Sequence, residues 1–173
     1  ILLLGTDTGD KRLNYGRTDA MMILSINGDT GEMKLTSLVR DMYVDIPNMK
    51  LKNRINTANA FGGPLLAVKT VNEVLGLNIR YYCSINFKGF EEIIDYLGGV
   101  TVTLSGAEGS LSGARNTQEP QLLNGKQALE FVRIRQLDNN FGRNERQRRL
   151  LTAVLDQVRS SSYDQVMNAV TAG

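Results

Sequence analysis

The sequence predicts an α/β fold: a single domain of residues 1–173 whose central mixed, partly antiparallel sheet is flanked by helices. Short apolar runs of strand length alternate along the chain with segments whose apolar residues recur at helical spacing. The turn sequence NGDTGE, residues 27–32, joins two strand segments into a hairpin. With 173 residues, of which 42% are hydrophobic, the chain is long and apolar enough for one domain with a substantial core.

Strands are predicted where short apolar runs are bounded by turn-forming residues. The predicted strands lie within residues 1–7, 19–27, 33–46, 79–86 and 100–104. The second and third of them flank the NGDTGE turn and form the hairpin. The other strands are separated by helical segments, and this interleaving favours a mixed sheet over a purely antiparallel one.

Helices are predicted at residues 55–75, 87–97, 125–131 and 143–160. Gly62-Gly63-Pro64 divides the first into two pieces, because proline suits the first turn of a new helix. Gly98-Gly99 ends the second helix, and Asn124 caps the third. Residues 105–121 are polar and glycine-rich, which predicts a surface loop.

The composition excludes several kinds of chemistry. The chain has no histidine and one cysteine, Cys83, so an internal disulfide, a Cys/His zinc site and a histidine-dependent triad cannot be built. A metal would need mainly oxygen ligands, which suits Mg²⁺, Mn²⁺ or Ca²⁺. The net charge of +2 is too small for a general nucleic-acid binder. No stretch has the length of a membrane span, but the chain begins inside a predicted strand, so we expect it to be a piece of a longer protein.

The first group of candidate functional residues is Asp7, Arg17 and Asp19. Asp7 ends one predicted strand and Asp19 begins the next, so antiparallel pairing would place both carboxylates at the same end of the sheet. Two carboxylates there could share a divalent cation with phosphate oxygens and water, and Arg17 could bind the same phosphate. The alternative is ordinary turn chemistry, since aspartate is common in turns.

The hairpin adds Arg40 to this group. The turn is centred between Asp29 and Thr30, so paired residue numbers should sum to about 59, which places Asp19 opposite Arg40. An arginine near the end of a largely apolar strand needs an anionic partner. The alternative is a plain cross-strand Asp–Arg pair with no further role.

A second group lies in FVRIRQLDNNFGRNERQRR, residues 131–149, which holds six arginines. On a helical wheel, Arg143 and Gln147 fall on the apolar stripe that includes Leu151. The wheel predicts that Arg149 is solvated and that Arg146 and Arg148 lie at the surface. An inward arginine in the first turn of a helix suits an anion, because the backbone N–H groups point at it. The alternative is that Arg143 pairs with a core carboxylate.

Arg133-Ile134-Arg135 alternates at period two. If this segment is extended, both arginines share one face and could hold a pyrophosphate with two guanidinium groups. A strand with a polar outer face is the alternative.

Seven motifs, in order, resemble the LytR-CpsA-Psr domain over about Ile1 to Leu155. They are LLGTD, RTDAMM, TSLVRDMYVDIP, INTANAFGGP, NFKGFEEIIDYLGGVTV, LNGKQALEFVRIR and FGRNERQ. The resemblance implies a mixed sheet flanked by helices, with an apolar tunnel between them for a polyprenyl tail. It implies a bacterial phosphotransferase on the extracytoplasmic face of the cell membrane, held by an N-terminal anchor. Its partners would be a glycan linked to polyprenyl pyrophosphate and a peptidoglycan acceptor, with no nucleic acid.

The resemblance also implies roles for individual residues. Asp7 and Asp19 would bind Mg²⁺, with Mn²⁺ as an alternative. The pyrophosphate would be held by Arg17, Arg40, Arg133, Arg135 and Arg143, with Gln147 in support. Arg40, Arg143, Arg133, Arg135 and Asp7 would be the catalytic residues. The transferred polymer would be a teichoic acid or a capsular polysaccharide.

The chain departs from the family pattern at Asn140, where many relatives carry an acidic residue two positions before the glycine of the Gly-Arg pair. Asp138 is nearby but out of register. If that acid activates the acceptor hydroxyl, the base in this chain is open. Three rival functions remain: a hydrolase of pyrophosphate-linked lipids, a non-catalytic module that binds the lipid carrier, and a nucleic-acid-binding regulator. The modest net charge and the inward Arg143 oppose the last.

Overall fold

The computed structural model describes residues 1–7, 15–50, 52–115 and 118–160. The backbone falls into two compact units, Ile1–Phe87 and Lys88–Gly173. The predicted α/β class with a mixed sheet is confirmed. The assignment of all 173 residues to one domain stays a prediction. Within the described ranges, no helix is both long and apolar enough to cross a membrane.

The first unit contains the main sheet. Its strands are β1 (Leu2–Asp7), β2 (Arg17–Ile26), β3 (Met33–Ser37), β4 (Tyr43–Val44), β5 (Asn53–Arg54) and β6 (Tyr82–Asn86), and its helix is α1 (Thr57–Leu75). The four-stranded sheet has the order β3-β2-β1-β6, and β4 and β5 form a separate small sheet. The β1–β2 and β2–β3 pairs are antiparallel and the β1–β6 pair is parallel, which makes the sheet mixed.

The predicted hairpin register is confirmed, but the returning strand is shorter than predicted. Met22 pairs with Ser37 and Ile26 with Met33, so each pair sums to 59. The strand predicted within residues 33–46 ends at Ser37, and the chain then turns at Arg40-Asp41 before β4 pairs with β5. Arg40 therefore lies beyond the ladder rather than in it.

Helix α1 is broken where the sequence predicted. Gly62 and Gly63 have non-helical backbone angles, and Pro64 opens the second piece. Gly63 has a φ of +68°, and a Cβ at this position would lie 3.0 Å from the ring of Tyr15. Glycine is therefore required here for both its backbone conformation and its small size.

The core of the first unit lies between one face of the sheet and α1. Leu2, Leu4, Met21 and Ile23 alternate along β1 and β2 and share that face. They pack with Leu38, Val44, Ile46, Ile55, Ala58, Ala67 and Val71. This packing fixes β1 and β2 relative to the start of α1, where the candidate residues of this unit lie.

The second unit is formed mainly by helices. Its elements are α2 (Phe87–Tyr96), which starts at the boundary, β7 (Val100–Thr103), α3 (Gly106–Ser112), β8 (Pro120–Leu123), α4 (Gly125–Arg133) and α5 (Asn140–Ser160). Strands β7 and β8 pair antiparallel. The hydrophobic core of the second unit consists of Ile94, Val100, Val102, Leu104, Leu123, Ala128, Phe131, Ile134 and Leu150.

The prediction of a surface loop at residues 105–121 is wrong for residues 106–112, which form α3, and for residues 120–121, which belong to β8; residues 116–117 lie outside the described residues. Ser105 caps α3, because its side chain accepts from the N–H of Glu108 and its own N–H donates to the Glu108 carboxylate. This capping box stabilises a helix too short and glycine-rich to show an apolar period. The predicted cap at Asn124 is confirmed and forms a second capping box with Gln127.

The segment around Arg133 and Arg135 is not a strand. Arg133 is the last residue of α4, and Arg135 follows in irregular chain. Ile134 is buried between the two exposed arginines, so the predicted alternation of burial holds without extended pairing. Helix α5 begins at Asn140, three residues before the predicted start at Arg143, and Asn139 accepts hydrogen bonds from Phe141 N and Gly142 N at its first turn.

Candidate functional site

Asp7, Arg17 and Asp19 lie together where β1 and β2 meet. Asp7 is paired with Arg17 in the ladder. The register shifts between Gly5 and Thr6, and the shift leaves Asp19 outside the ladder as a β-bulge. Bulges redirect side chains and are frequent beside functional sites. The predicted placement of both carboxylates at one end of the sheet is therefore what the backbone shows.

Asp19 forms an ion pair with Arg40. Arg40 Nη1 donates to Asp19 Oδ1, and both side chains are partly buried. Arg40 Nε also lies 3.6 Å from Asp41 Oδ2. The predicted pairing of Asp19 with Arg40 is therefore confirmed, although Arg40 reaches Asp19 from the turn after β3.

Residues at the N-terminal end of α1 form hydrogen bonds to the backbone at the start of β2 and at Arg40. These contacts were not predicted from the sequence. The Asn56 carbonyl accepts from Thr18 N at 3.4 Å, and Asn56 N donates to the Arg40 carbonyl at 3.2 Å. The buried Asn59 side chain donates from Nδ2 to the Gly16 carbonyl at 2.7 Å. Polar asparagines inside the otherwise apolar INTANAF were the available signal, because a buried amide needs a specific partner.

The carboxylates of this group suit a hard divalent ion by their chemistry. Asp7 is exposed at the strand end and Asp19 is half-buried. Within the part of the chain that the structure describes, no three Asp, Glu, Cys or His side chains cluster as a metal site. A bound ion would therefore take its remaining ligands from phosphate or water, which is the usual behaviour of Mg²⁺. The assignment of Asp7 and Asp19 as metal ligands stays a prediction.

In the second unit, Arg143 is buried as predicted. Its exposed fraction is 6%, and it lies in the first turn of α5. Gln147 follows one turn later and is half-buried. The inward position predicted for Arg143 is confirmed, whereas Gln147 is no more buried than the neighbouring Arg148 and Arg149.

The prediction that Arg146 lies at the surface is wrong, because its exposed fraction is 2%. Its guanidinium donates from Nη1 to Asp138 Oδ2 at 2.7 Å and from Nη2 to Asp138 Oδ1 at 2.8 Å. Nη2 also donates to the Ile134 carbonyl at 2.8 Å. A second carboxylate, Glu108 Oε1, lies 3.7 Å from Nη1. Arg146 is therefore a buried structural cation.

Arg149 is also not the solvated residue that the wheel predicted. Its Nη1 donates to Glu108 Oε1 at 3.0 Å, and its guanidinium carbon lies 5.3 Å from the centre of the Phe131 ring. A cation over an aromatic face is attracted by the ring. Glu108, absent from the predicted site, is thus a buried carboxylate between two arginines. Its signal was Ser105-x-x-Glu108, the sequence of a capping box.

The remaining arginines of the stretch are more exposed. Arg133 Nη1 lies 3.8 Å from Glu130 Oε1 within α4, and Arg148 pairs with Glu145 on α5. Arg135 is exposed after α4. Because several of the six arginines are engaged by carboxylates of their own unit, the stretch is not one continuous basic patch of the kind that nucleic acids bind.

The ion pairs change the acidity of both carboxylates. The hydrogen bond from Arg146 lowers the pKa of Asp138 below its ordinary value of 3.8. Burial alone would raise the pKa of Glu108, but hydrogen bonds from Ser105 N and Arg149 outweigh it, so this pKa lies below its ordinary 4.5. The hydrogen bond to Asp138 raises the pKa of Arg146, and the negative charges of Asp138 and Glu108 raise it further. Asp138 is thus held in its ionised form by Arg146.

These shifts predict how stability depends on pH. Both carboxylates have folded-state pKa values below the unfolded ones, so their ionised forms stabilise the folded state at pH values above about 4.5. The contribution should be lost as the pH falls through the folded-state values. We expect urea unfolding between pH 7 and pH 3 to show a steeper loss for the parent chain than for Asp138→Asn or Glu108→Gln. Equal slopes in all three proteins would contradict this prediction.

The chain is thus an α/β protein in which aspartate and arginine side chains meet at the strand ends of the first unit, and its sequence contains no histidine. The sequence model of the LytR_cpsA_psr family matches residues 1–172, and the chain belongs to this family.

Known relatives agree in sequence and in fold. The chain is 43% identical over 171 residues to the polyisoprenyl-teichoic acid–peptidoglycan teichoic acid transferase TagU of Oceanobacillus iheyensis, covering 94% of this chain and 52% of that protein. The structure of TagT bound to LIIa-WTA has a TM-score of 0.82 and 33% identity, covering 93% of this chain and 63% of that one. TagT with bound octaprenyl pyrophosphate lipid has a TM-score of 0.77 and 31% identity, covering 96% and 69%. The chain spans little more than half the length of the curated relatives it matches.

Proposed function

We propose that this chain is the transferase domain of a cell-wall enzyme that moves a glycopolymer from a polyprenyl-pyrophosphate carrier to peptidoglycan. A teichoic acid is the favoured polymer, since that is what the named relatives transfer, and a capsular polysaccharide is the alternative. The enzyme would act on the extracytoplasmic face of the membrane, held by an anchor outside this sequence. The related TagT structure with octaprenyl pyrophosphate supports an apolar tunnel as the place for the prenyl tail.

The observation that carries the proposal is the Asp19–Arg40 pair beside Asp7 and Arg17. A largely buried arginine is aligned by one carboxylate while a second carboxylate and a second arginine lie at the same strand end. Guanidinium groups bind phosphate oxygens in a planar, two-pronged geometry. Arg133, Arg135 and Arg143 of the second unit would also bind phosphate, with Gln147 in support.

The reaction would be a phosphoryl transfer. A hydroxyl oxygen of the acceptor attacks the phosphorus that carries the glycan, and the bond from that phosphorus to the bridging oxygen breaks. Polyprenyl monophosphate leaves, and the hydroxyl proton passes to a base. Such reactions depend mainly on positioning and on stabilising the charge that develops on the phosphate oxygens. Arg40 and Arg17 would provide this stabilisation without needing histidine.

Asp7 and Asp19 would hold Mg²⁺, with Mn²⁺ as an alternative, and the bound ion would neutralise charge on the phosphate oxygens. Asp19 can serve both Arg40 and an ion, because a carboxylate accepts through two oxygens. Arg40 then has a second role, since its charge fixes the orientation of the carboxylate that binds the metal.

The test is a transfer assay with a polyprenyl-pyrophosphate-linked saccharide and peptidoglycan, titrated with Mg²⁺ after chelation. The parent chain should release polyprenyl monophosphate and label peptidoglycan. Asp7→Asn and Asp19→Asn should need at least about tenfold more Mg²⁺ for half-maximal rate, because each loses an anionic ligand. The control is Asp45→Asn, an exposed aspartate that pairs with Lys52 at 3.3 Å. Transfer unaffected by chelation would refute the metal role, and absence of transfer would refute the function.

A second candidate is a module that binds the lipid carrier without turnover. One observation favours it: the Asp138 carboxylate near Asn140 is already paired with Arg146 at 2.7 Å, and the resemblance implies an acidic residue at position 140 where this chain has asparagine. Tight binding of polyprenyl pyrophosphate with no product at any Mg²⁺ concentration would support this function. Phosphate release without an acceptor would instead support the hydrolase.

A further inference from the structure

We propose that Asp138 and Arg146 are positioning residues that fix the place of Arg135. This inference rests on the proposed function, in which Arg135 contacts phosphate. The ion pair would act through the backbone of the segment that carries Arg135, and neither Asp138 nor Arg146 would touch the substrate. All residues of this group lie within the second unit.

The first observation is that one guanidinium closes both ends of a short segment. Arg146 Nη2 donates to the Ile134 carbonyl at 2.8 Å, and the same nitrogen donates to Asp138 Oδ1 at 2.8 Å. The segment between these two contacts begins with Arg135. Its backbone has no helix or strand hydrogen bonds of its own, as the irregular structure at residues 134–139 shows. Arg146 therefore binds the chain directly before Arg135 and again at Asp138, three residues after it.

The second observation is independent and concerns Gly142. A Cβ at this position would lie 2.0 Å from Asp138 Oδ2, well inside contact distance. Asp138 thus packs directly on the first turn of α5, and only glycine leaves room for it. The same turn contains the buried Arg143, so the close approach fixes the Arg135 segment relative to Arg143.

The third observation is that Arg146 is itself held in place by burial and by the neighbouring carboxylate of Glu108. Glu108 Oε1 lies 3.7 Å from Arg146 Nη1 and itself accepts from Arg149. Two arginines and two carboxylates thus balance in charge, and Glu108 is tied to α3 through the capping box. With 2% exposure, Arg146 has no surface to offer a ligand. A buried guanidinium with three hydrogen bonds in a planar fork has little freedom to move.

The test combines hydrogen exchange with a double-mutant cycle on the full chain. Asp138→Asn keeps the side-chain shape and removes the charge. We expect faster amide exchange at residues 134–139 and unchanged exchange in the later turns of α5. We expect a loss of about 10- to 100-fold in kcat/KM, the size of effect that a small misplacement of a binding group produces.

The cycle separates positioning from a general loss of stability. If Asp138 acts through Arg135, the double variant Asp138→Asn/Arg135→Ala should match Arg135→Ala alone within about threefold. If the double variant instead loses kcat/KM by the product of the two single losses, the proposal is overturned. Unchanged amide exchange at residues 134–139 in Asp138→Asn would also overturn it. Full activity of Arg135→Ala would refute the proposed role of Arg135 itself, and the exchange measurement would still decide whether the ion pair orders the segment.

Gly142→Ala provides a second variant if Asp138→Asn does not fold. It keeps every charge and displaces Asp138 by steric contact, so it should reproduce both the faster exchange and the lower kcat/KM. The control is Glu145→Gln, which removes an exposed carboxylate paired with Arg148 on the same helix. Parent-like exchange and kinetics in Gly142→Ala would contradict the proposal.

Discussion

Arg40→Ala is expected to lower glycopolymer transfer by about 10²–10³-fold, the loss typical when one preorganised donor to a developing negative charge is removed. Arg40 pairs with Asp19 and is held by a backbone hydrogen bond from Asn56, so its guanidinium is positioned before substrate arrives. The variant also frees Asp19 from its cationic neighbour. Initial rates with a polyprenyl-pyrophosphate-linked donor measure the effect.

The matched control is Arg54→Ala. Arg54 Nη1 also lies 3.6 Å from Asp41, but its side chain is 60% exposed and it belongs to β5. Its removal should leave transfer within about twofold of the parent, since exposed ion pairs contribute little. Both variants should keep their melting temperature within a few degrees, because a partly exposed pair is worth about 1 kcal/mol at most. Full transfer by Arg40→Ala would show that the Asp19–Arg40 pair is structural only.

The sequence predicted the elements that local patterns determine. The NGDTGE turn and the period of two set the register of β2 and β3, and extending this register beyond the ladder predicted Asp19 as the partner of Arg40. Glycine and proline located the break in α1 for the same local reason. The strand predicted within residues 33–46 was too long, because the chain leaves the sheet after Ser37. Arg40 then reaches Asp19 through its long side chain, which the alternation of apolar residues cannot show.

The errors in α5 have a different cause. The predicted stripe was centred on Leu151, whereas the buried positions follow Arg143, Arg146 and Leu150 at spacings of three and four. The wheel was centred on the apolar residues of α5 alone, so it could not show that carboxylates from outside this helix hold Arg146 and Arg149. Glu108 is 41 residues from Arg149 in sequence, so no local window could have joined them. The capping box of α3 would have indicated the helix but not this partner.

Arg146→Ala is expected to destabilise the chain by about 3–5 kcal/mol, the cost of breaking a buried ion pair by removing one partner. Glu108 would lose one of its two cationic neighbours, and Asp138 and the Ile134 carbonyl would lose their hydrogen bonds. Since domains are stable by about 5–15 kcal/mol, this is a large share of the total. Urea unfolding at pH 7, followed by circular dichroism, would measure it as a lower midpoint.

Two further variants show whether the lost ion pairs or the lost packing lowers the stability of Arg146→Ala. Arg148→Ala removes a half-exposed arginine two residues away that pairs with Glu145, and it should cost less than about 1 kcal/mol. Arg146→Met keeps most of the side-chain volume without the charge. If the ion pairs carry the effect, Arg146→Met should be destabilised nearly as much as Arg146→Ala, and if packing carries it, methionine should restore most of the loss. An Arg146→Ala midpoint equal to that of Arg148→Ala would show that the buried network adds no stability.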